Sequence, residues 1–290
     1  MLKIEINGTN VTNSNGLTIG SNASNVVIRG LVINRVGSSG TGIRIASTSG
    51  TGHRIEGNLI GTDPGGTQDL GNAGGGILIS TGNNTTIGGD TPAKRNLISG
   101  NGLDGVSFSL LSSSGHTVEG NIIGLDKDGN PLGNSRNGVL IGSFSSTGNR
   151  ILDNSISSNG GLGIDLGNDG VTVNDPKDPD SGPNRRQNFP VLSSAVRSSD
   201  GTTTIQGKLN STPRKVFTIQ FFSNPSTDPD EGKKFLGELN VKTGRKGTVS
   251  FKVITTEDVA AGEGVTATAT AFATKDTSEF SAARIVVLGA

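Results

Sequence analysis

The sequence predicts an all-β chain in two parts, a coiled stack of parallel strands followed by a sandwich of antiparallel ones. Three observations predict it. Six phrases share one shape, Gly16-Leu-Thr-Ile, Gly42-Ile-Arg-Ile, Gly76-Ile-Leu-Ile, Gly105-Val-Ser-Phe, Gly138-Val-Leu-Ile and Gly163-Ile-Asp-Leu, with glycine spacings of 26, 34, 29, 33 and 25 residues. The repeat stops after Gly167. Beyond it, runs of alternating character are separated by turns, and eight of the ten phenylalanines fall there.

Taken in order, Met1-Leu-Lys-Ile-Glu-Ile already reads as a strand, so the chain is expected to open inside a coil, with a secretion signal further upstream. Each glycine phrase then alternates apolar residues, as in Ile43/Ile45, Ile77/Ile79, Val106/Phe108 and Val139/Ile141, the period of a strand with one buried face. The second half of each coil repeats as well: Gly52-His-Arg-Ile-Glu-Gly-Asn-Leu-Ile-Gly matches Gly115-His-Thr-Val-Glu-Gly-Asn-Ile-Ile-Gly at an offset of 63 residues. Each coil therefore carries two or three short strands joined by Gly, Asn and Ser turns. Stacked in parallel roughly 4.8 Å apart, about six such coils make a parallel β-helix over residues 1–167. Composition agrees, since 46 glycines in 290 residues and 31% hydrophobic content suit neither helices nor a thick core.

Asn58, Asn96, Asn121 and Asn154 each precede an isoleucine by two residues, which predicts a corner ladder of side-chain amides bonding from coil to coil. His53 and His116 are copies of one repeat position, where another coil has Asn149, and Glu56 and Glu119 are likewise equivalent. Residues copied by a repeat point to structure rather than catalysis. The glutamates are expected in an outward charge ladder, with Arg29 above Glu56 and Lys94 or Arg95 near Glu119. Arg44 and Asp165 share the outward column that otherwise reads Thr18, Leu78, Ser107 and Leu140, which does not gather an acid, a base and a cation.

Two loops, 61–73 and 124–135, are expected on one side of the stack. The second contains Asp126-Lys-Asp-Gly-Asn130, so Asp126, Asp128 and Asn130 place oxygen ligands at alternate positions around a glycine turn, a spacing that suits Ca²⁺. Residues 168–188 form an Asp/Pro-rich linker. Asp165, Asp169, Asp175, Asp178 and Asp180 supply a second candidate calcium cluster, opposed before Arg185 only by Lys177. Residues 189–290 then carry seven expected strands, at 190–196, 202–209, 216–223, 235–242, 248–254, 265–273 and 279–288, the number and spacing of an immunoglobulin-like β-sandwich.

The chain has no cysteine, so disulfides and thiolate metal sites are excluded. Its 25 basic and 25 acidic residues balance, and no basic run exceeds pairs such as Arg185-Arg186 and Lys233-Lys234, which argues against nucleic acid as a partner. No apolar run is long enough to span a membrane.

The phrases Gly-Asn-(Leu/Ile)-Ile-Gly-x-Asp at 57–63 and 120–126, Leu-Gly-Asn at 70–72 and 132–134, and Arg-Asn-Leu-Ile-Ser-Gly-Asn at 95–101 resemble the right-handed parallel β-helix repeat proteins of bacterial surfaces and secretions, which share the pectate-lyase-like fold. Gln187-Asn-Phe-Pro-Val-Leu, Leu209-Asn-Ser-Thr-Pro and Thr277-Ser-Glu-Phe-Ser resemble the sandwich domain that follows such repeats. The resemblance fits an extracellular or cell-surface protein, and the repeat-copied His53, His116, Glu56 and Glu119 point to a β-helix that is a rigid spacer or binding surface without catalysis. Its partners would be a cell-surface polysaccharide or another surface protein, and the two acidic clusters make Ca²⁺ the expected cofactor. The competing class is a lyase, epimerase or hydrolase acting on acidic polysaccharide, because one architecture hosts all of these. The absence of Trp and Tyr argues against a strong glycan groove on the β-helix itself.

Overall fold

The structure is a computed structural model that describes residues 4–108, 113–228 and 230–289. Three parallel sheets wind around one apolar core as a β-solenoid of about five turns, fewer than the six coils counted from the glycine phrases. The difference lies in the incomplete turn. Two sheets have six strands and the third has five.

The six glycine phrases are the six strands of one sheet: Leu17–Ile19, Ile43–Thr51, Ile77–Asn83, Val106–Phe108, Val139–Ile141 and Ile164–Asp165. Another sheet begins at Ile4–Asn7 and ends at Ser155–Ile156. The first strand expected at Met1 is thus observed from Ile4, and Met1, Leu2 and Lys3 lie outside the described residues. The third sheet runs from Val27–Arg29 to Arg150–Leu152. Every strand pairs in parallel with its equivalent in the next turn, for example Ile43 with Ile77 and Ile77 with Val106. The inward residues Ile43, Ile45, Ile77, Ile79, Val106 and Phe108 are all fully buried. Each such side chain stabilises the stack by about 2 kcal/mol relative to exposure.

The phrase glycines stand where one turn comes closest to the next. A Cβ placed on Gly138 would lie 2.6 Å from the carbonyl oxygen of Gly163 and 2.6 Å from Cγ2 of Ile156. Gly42 and Gly105 meet the same two obstacles in their own turns. At Gly163, at the end of the stack, the neighbour is instead the ring of Phe280 from the C-terminal part, 2.8 Å from such a Cβ.

The linker contains a short turn, Pro183–Arg186, in which Asn184, Arg185 and Arg186 adopt left-handed backbone with φ of 44°, 51° and 48°. The C-terminal part has two four-stranded sheets around a second core that includes Ile205, Leu209, Phe217, Ile219, Phe221 and Val265. One sheet contains Val191–Arg197, Thr203–Asn210, Thr248–Thr255 and Val287–Leu288, and the other Val216–Asn224, Lys234–Lys242, Gly264–Ala271 and Arg284–Ile285. Six expected strands appear close to their expected bounds. The seventh, 279–288, is replaced by two strands of two residues, because Glu279 and Phe280 turn away to contact the solenoid.

Candidate sites on the ladders, the acidic linker and the seam

The expected asparagine ladder is present and buried. Nδ2 of Asn58 donates to Oδ1 of Asn96 at 3.0 Å, Asn96 to Asn121 at 2.9 Å, and Asn121 to Asn154 at 2.9 Å. Each Oδ1 also accepts the backbone N–H of the preceding rung, so one amide satisfies groups that a sharp corner leaves unpaired.

A second ladder escaped the sequence reading although its phrases were in view. Asn72, Asn101, Asn134 and Asn159 donate from one to the next, each at 2.9 Å. Asn72 and Asn134 end the Leu-Gly-Asn phrases and Asn101 the Ser-Gly-Asn phrase, a recurrence that was the available signal, whereas Asn159 follows Ser157-Ser158 and carries no such mark.

The histidines form the third column. Nδ1 of His53 accepts the N–H of Val26 at 3.3 Å, and Nδ1 of His116 accepts that of Thr85 at 3.1 Å. Asn149 and Asn184 continue the column, with Oδ1 accepting from the N–H groups of His116 and Asn149. Nε2 of His116 lies 2.6 Å from Oγ of Ser113, and its ring stacks on Phe108 with centroids 5.0 Å apart. Burial drives its pKa down to about 3, so it is neutral, protonated on Nε2 and donating to the serine. His53 is lowered too, by burial.

Arg29 and Glu56 form the expected pair, with 3.7 Å between charged atoms. Glu56 is buried rather than outward-facing as expected. Lys94 pairs with Asp90 at 2.7 Å, and Arg95 donates from Nε to the carbonyl of Gly120, beside Glu119, at 3.0 Å. In the other column, Arg44 gives its Nε to Ser80 Oγ at 3.1 Å, and Asp165 is buried with Oδ1 accepting the N–H of Asn168.

The two long loops stack on each other, with the N–H of Lys127 donating to the carbonyl of Gly66 at 2.9 Å. In the second loop, Oδ1 of Asp126 accepts from the N–H groups of Asp128 and Asn130, and Oδ2 from Nδ2 of Asn130. Those bonds, the Asn130 amide first, hold the Asp126 carboxyl below its ordinary value. Asp63 repeats the arrangement with Gly65, Thr67 and Gln68. Asp128 pairs with Lys127 at 2.7 Å. Both oxygens of Asp126 thus help close the turn, while Asp128 faces Lys127 and Asn130 acts as a donor.

The linker acids divide. Asp169 pairs with Arg186 at 3.0 Å, and Asp165 sits on the last solenoid strand. Asp175, Asp178 and Asp180 converge, with ligand oxygens within 4.8 Å of one another, the one group of three such side chains among the described residues. Oδ1 of Asp175 and Oδ1 of Asp180 are buried without a hydrogen-bond partner. Asp178 accepts from Nε2 of Gln187 at 2.7 Å, from Ser211 Oγ and from the N–H of Asn188. Burial pushes Asp178 up to about 6, and the neighbouring carboxylates add to it. Burial also raises Asp180, with Asp175 contributing. Three hard oxygen donors would fill at most half of a calcium shell of about six to eight.

At the seam, the C-terminal part takes over where the solenoid ends. Glu231 follows Asn159 in the second ladder, and Asn184 closes the third. Ile156 and Gly232 form an antiparallel bridge, with hydrogen bonds of 2.9 and 2.8 Å. The N–H of Ile151 donates to Thr277 Oγ1 at 2.9 Å, and that of Leu166 to Oε1 of Glu279 at 2.9 Å. Phe222 and Phe280 belong to the solenoid core, their ring centroids 5.4 Å apart in an edge-on contact. Burial raises Glu279, and burial pushes Glu231 up to about 8.

No family model matches the chain, and no curated protein sequence matches it. Among solved structures, the full-length tailspike protein 2 (TSP2, ORF211) from Escherichia coli O157:H7 bacteriophage CAB120 aligns over 89% of this chain with 12% identity and a TM-score of 0.31. The chain spans 46% of that tailspike's length.

Proposed function

We propose that the chain is a non-catalytic structural and interaction module of an extracellular or cell surface, with the solenoid as a rigid spacer and the C-terminal part as its end cap. The observation that carries this reading is the seam. One corner ladder, the terminal strand and the apolar core pass directly from the solenoid into the C-terminal part, and the histidine column ends on Asn184 of the linker, whose Nδ2 donates to the carbonyl of Thr277 at 3.0 Å. Force or orientation applied at one part is therefore transmitted to the other through ordered hydrogen bonds. The side chains most suited to catalysis, His53, His116 and Glu56, are engaged in columns that hold turns together.

In its finer form, the reading takes the solenoid as right-handed and pectate-lyase-like, of bacterial surface type, and the C-terminal part as an immunoglobulin-like sandwich. Two facing four-stranded sheets support the latter. Ca²⁺ at Asp175, Asp178 and Asp180 would stiffen the linker by neutralising carboxylates that repel. The partners are a cell-surface polysaccharide or another surface protein.

Incubation with a panel of uronate polymers, with and without calcium, tests the reading. Neither unsaturated products nor new reducing ends are expected. Turnover that disappears in Arg44→Ala or Asp165→Ala would overturn it.

A further inference from the structure

A cleft of about 350 Å³ opens where the solenoid meets the C-terminal part, lined by Arg95 and Asp153 on the solenoid side and by Lys233, Lys234 and Phe235 on the other. Its walls are fixed to each other. Oγ of Ser155 donates to the carbonyl of Lys233 at 2.6 Å, and the Ile156–Gly232 bridge lies immediately beside it. A site held this way loses little entropy when a ligand enters.

The charges in the cleft are incompletely balanced. Arg95 spends Nε on the carbonyl of Gly120 at 3.0 Å, and its guanidinium forms no ion pair among the described residues. Lys233 forms none either. Lys234 differs, being paired with Glu257 at 3.2 Å. Asp153 receives Nε2 of Gln220 on Oδ1 at 2.7 Å, which leaves its second oxygen without a partner among the described residues. Phe235 is 39% exposed and is braced edge-on against Phe222, with ring centroids 5.9 Å apart.

We propose that this cleft binds an anionic saccharide through its negative group, its hydroxyls and one face of its ring. Arg95 and Lys233 would meet the negative group, the second oxygen of Asp153 would accept a hydroxyl, and Phe235 would pack against the C–H face of the ring. The carboxylate of Asp153 favours a ring rich in free hydroxyls, which can donate to it, over a phosphodiester backbone, whose phosphates carry no proton to donate. The shared chemistry is one anionic group on a polyol ring, whether carboxylate, sulfate or phosphate monoester. The inference rests on the reading of the chain as an interaction module and names a ligand for it.

Isothermal titration of the full chain with uronate, sulfated and phosphorylated oligosaccharides, a neutral oligosaccharide and a single-stranded oligonucleotide tests the proposal. At least one anionic saccharide is expected to bind and the neutral one not to, with binding about tenfold weaker at 0.5 M than at 0.05 M salt. The double variant Arg95→Ala/Lys233→Ala is expected to lose about tenfold or more, and Phe235→Ala several-fold, each retaining the wild-type melting transition. Lys94→Ala, which alters a cation paired elsewhere, should bind as wild type. Binding of no anionic saccharide, binding unchanged in the double variant, or tighter binding of the oligonucleotide would overturn the proposal. Each of those results leaves the turnover assay unaffected, so the two readings fail separately.

Discussion

Glu231 stands where the next rung of an asparagine ladder belongs: its Oε1 accepts from Nδ2 of Asn159 at 3.1 Å and its Oε2 from the N–H of Asn159 at 3.3 Å. The solenoid ends there on a residue of the C-terminal part that satisfies the last corner as another turn would.

This contact carries a pH dependence. Burial raises the Glu231 carboxyl from 4.5 to about 8. Between those values the folded chain binds the proton that the unfolded chain has released, so stability falls as pH rises from about 4.5 to about 8. Each pH unit in that interval costs at most about 1.4 kcal/mol. Glu231→Gln removes the charge and keeps one acceptor oxygen, which would have to take both bonds as the single Oδ1 of Asn159 does from Asn134. Urea unfolding at pH 5.5 and 8.5 should show the variant more stable than wild type at the higher pH, with a shallower slope. An unchanged slope would remove Glu231 as its source.

His116 has the opposite sign. Its folded pKa of about 3 lies below the ordinary 6.5, so stability is lost as pH falls from about 6.5 toward 3, where only the unfolded state takes the proton. His116→Asn copies the residue found at this position in Asn149 and can still accept from Thr85, but it gives up the stacking on Phe108. A loss of about 1–3 kcal/mol at pH 7 is expected, with a weaker acid limb, read by denaturant titration at several pH values.

Both predictions depend on residues whose types were legible and whose settings were not. The glycine spacing marks all six strands of one sheet, and the Asn58 ladder follows from its offset to the isoleucines. The equivalence of His53, His116 and Asn149 was readable because a repeat copies environments along with residues. Glu231 and Asn184 belong to no repeat, so their role depends on a contact between distant segments that periodicity cannot encode. The aspartates illustrate the same limit. Spacing made Asp126, Asp128 and Asn130 resemble a calcium loop, yet the identical spacing closes a turn on its own backbone. Asp175, Asp178 and Asp180 converge through the path of the linker, and Asp165 and Asp169 do not.

Close approach at the phrase glycines sets a further expectation. Gly138→Ala would place a methyl group 2.6 Å from a carbonyl oxygen of the next turn, and backbone on that side is fixed by pairing of Val139 with Ile164. The substitution should cost about 1–3 kcal/mol by overpacking. Gly201→Ala meets no atom within 4 Å, although its φ of +87° carries its own strain. Hydrogen exchange should show Gly138→Ala loosening the turns on either side of it, whereas Gly201→Ala should act only locally in the C-terminal part.

Calcium at the linker is separable from these effects. Millimolar Ca²⁺ at pH 7.5 should raise the melting temperature of the wild type and leave Asp175→Asn/Asp180→Asn unchanged. Because Asp178 titrates near 6, the increment should shrink at pH 5. A wild-type transition unmoved by calcium at pH 7.5 would dismiss the site.

Continuity across the seam is most directly tested by differential scanning calorimetry of the whole chain alongside Phe280→Ala, which removes the ring that covers Gly163. A single transition in the wild type, shifted down as one unit in the variant, is the predicted result. Two separate transitions in the wild type, with Phe280→Ala moving only one of them, would contradict it.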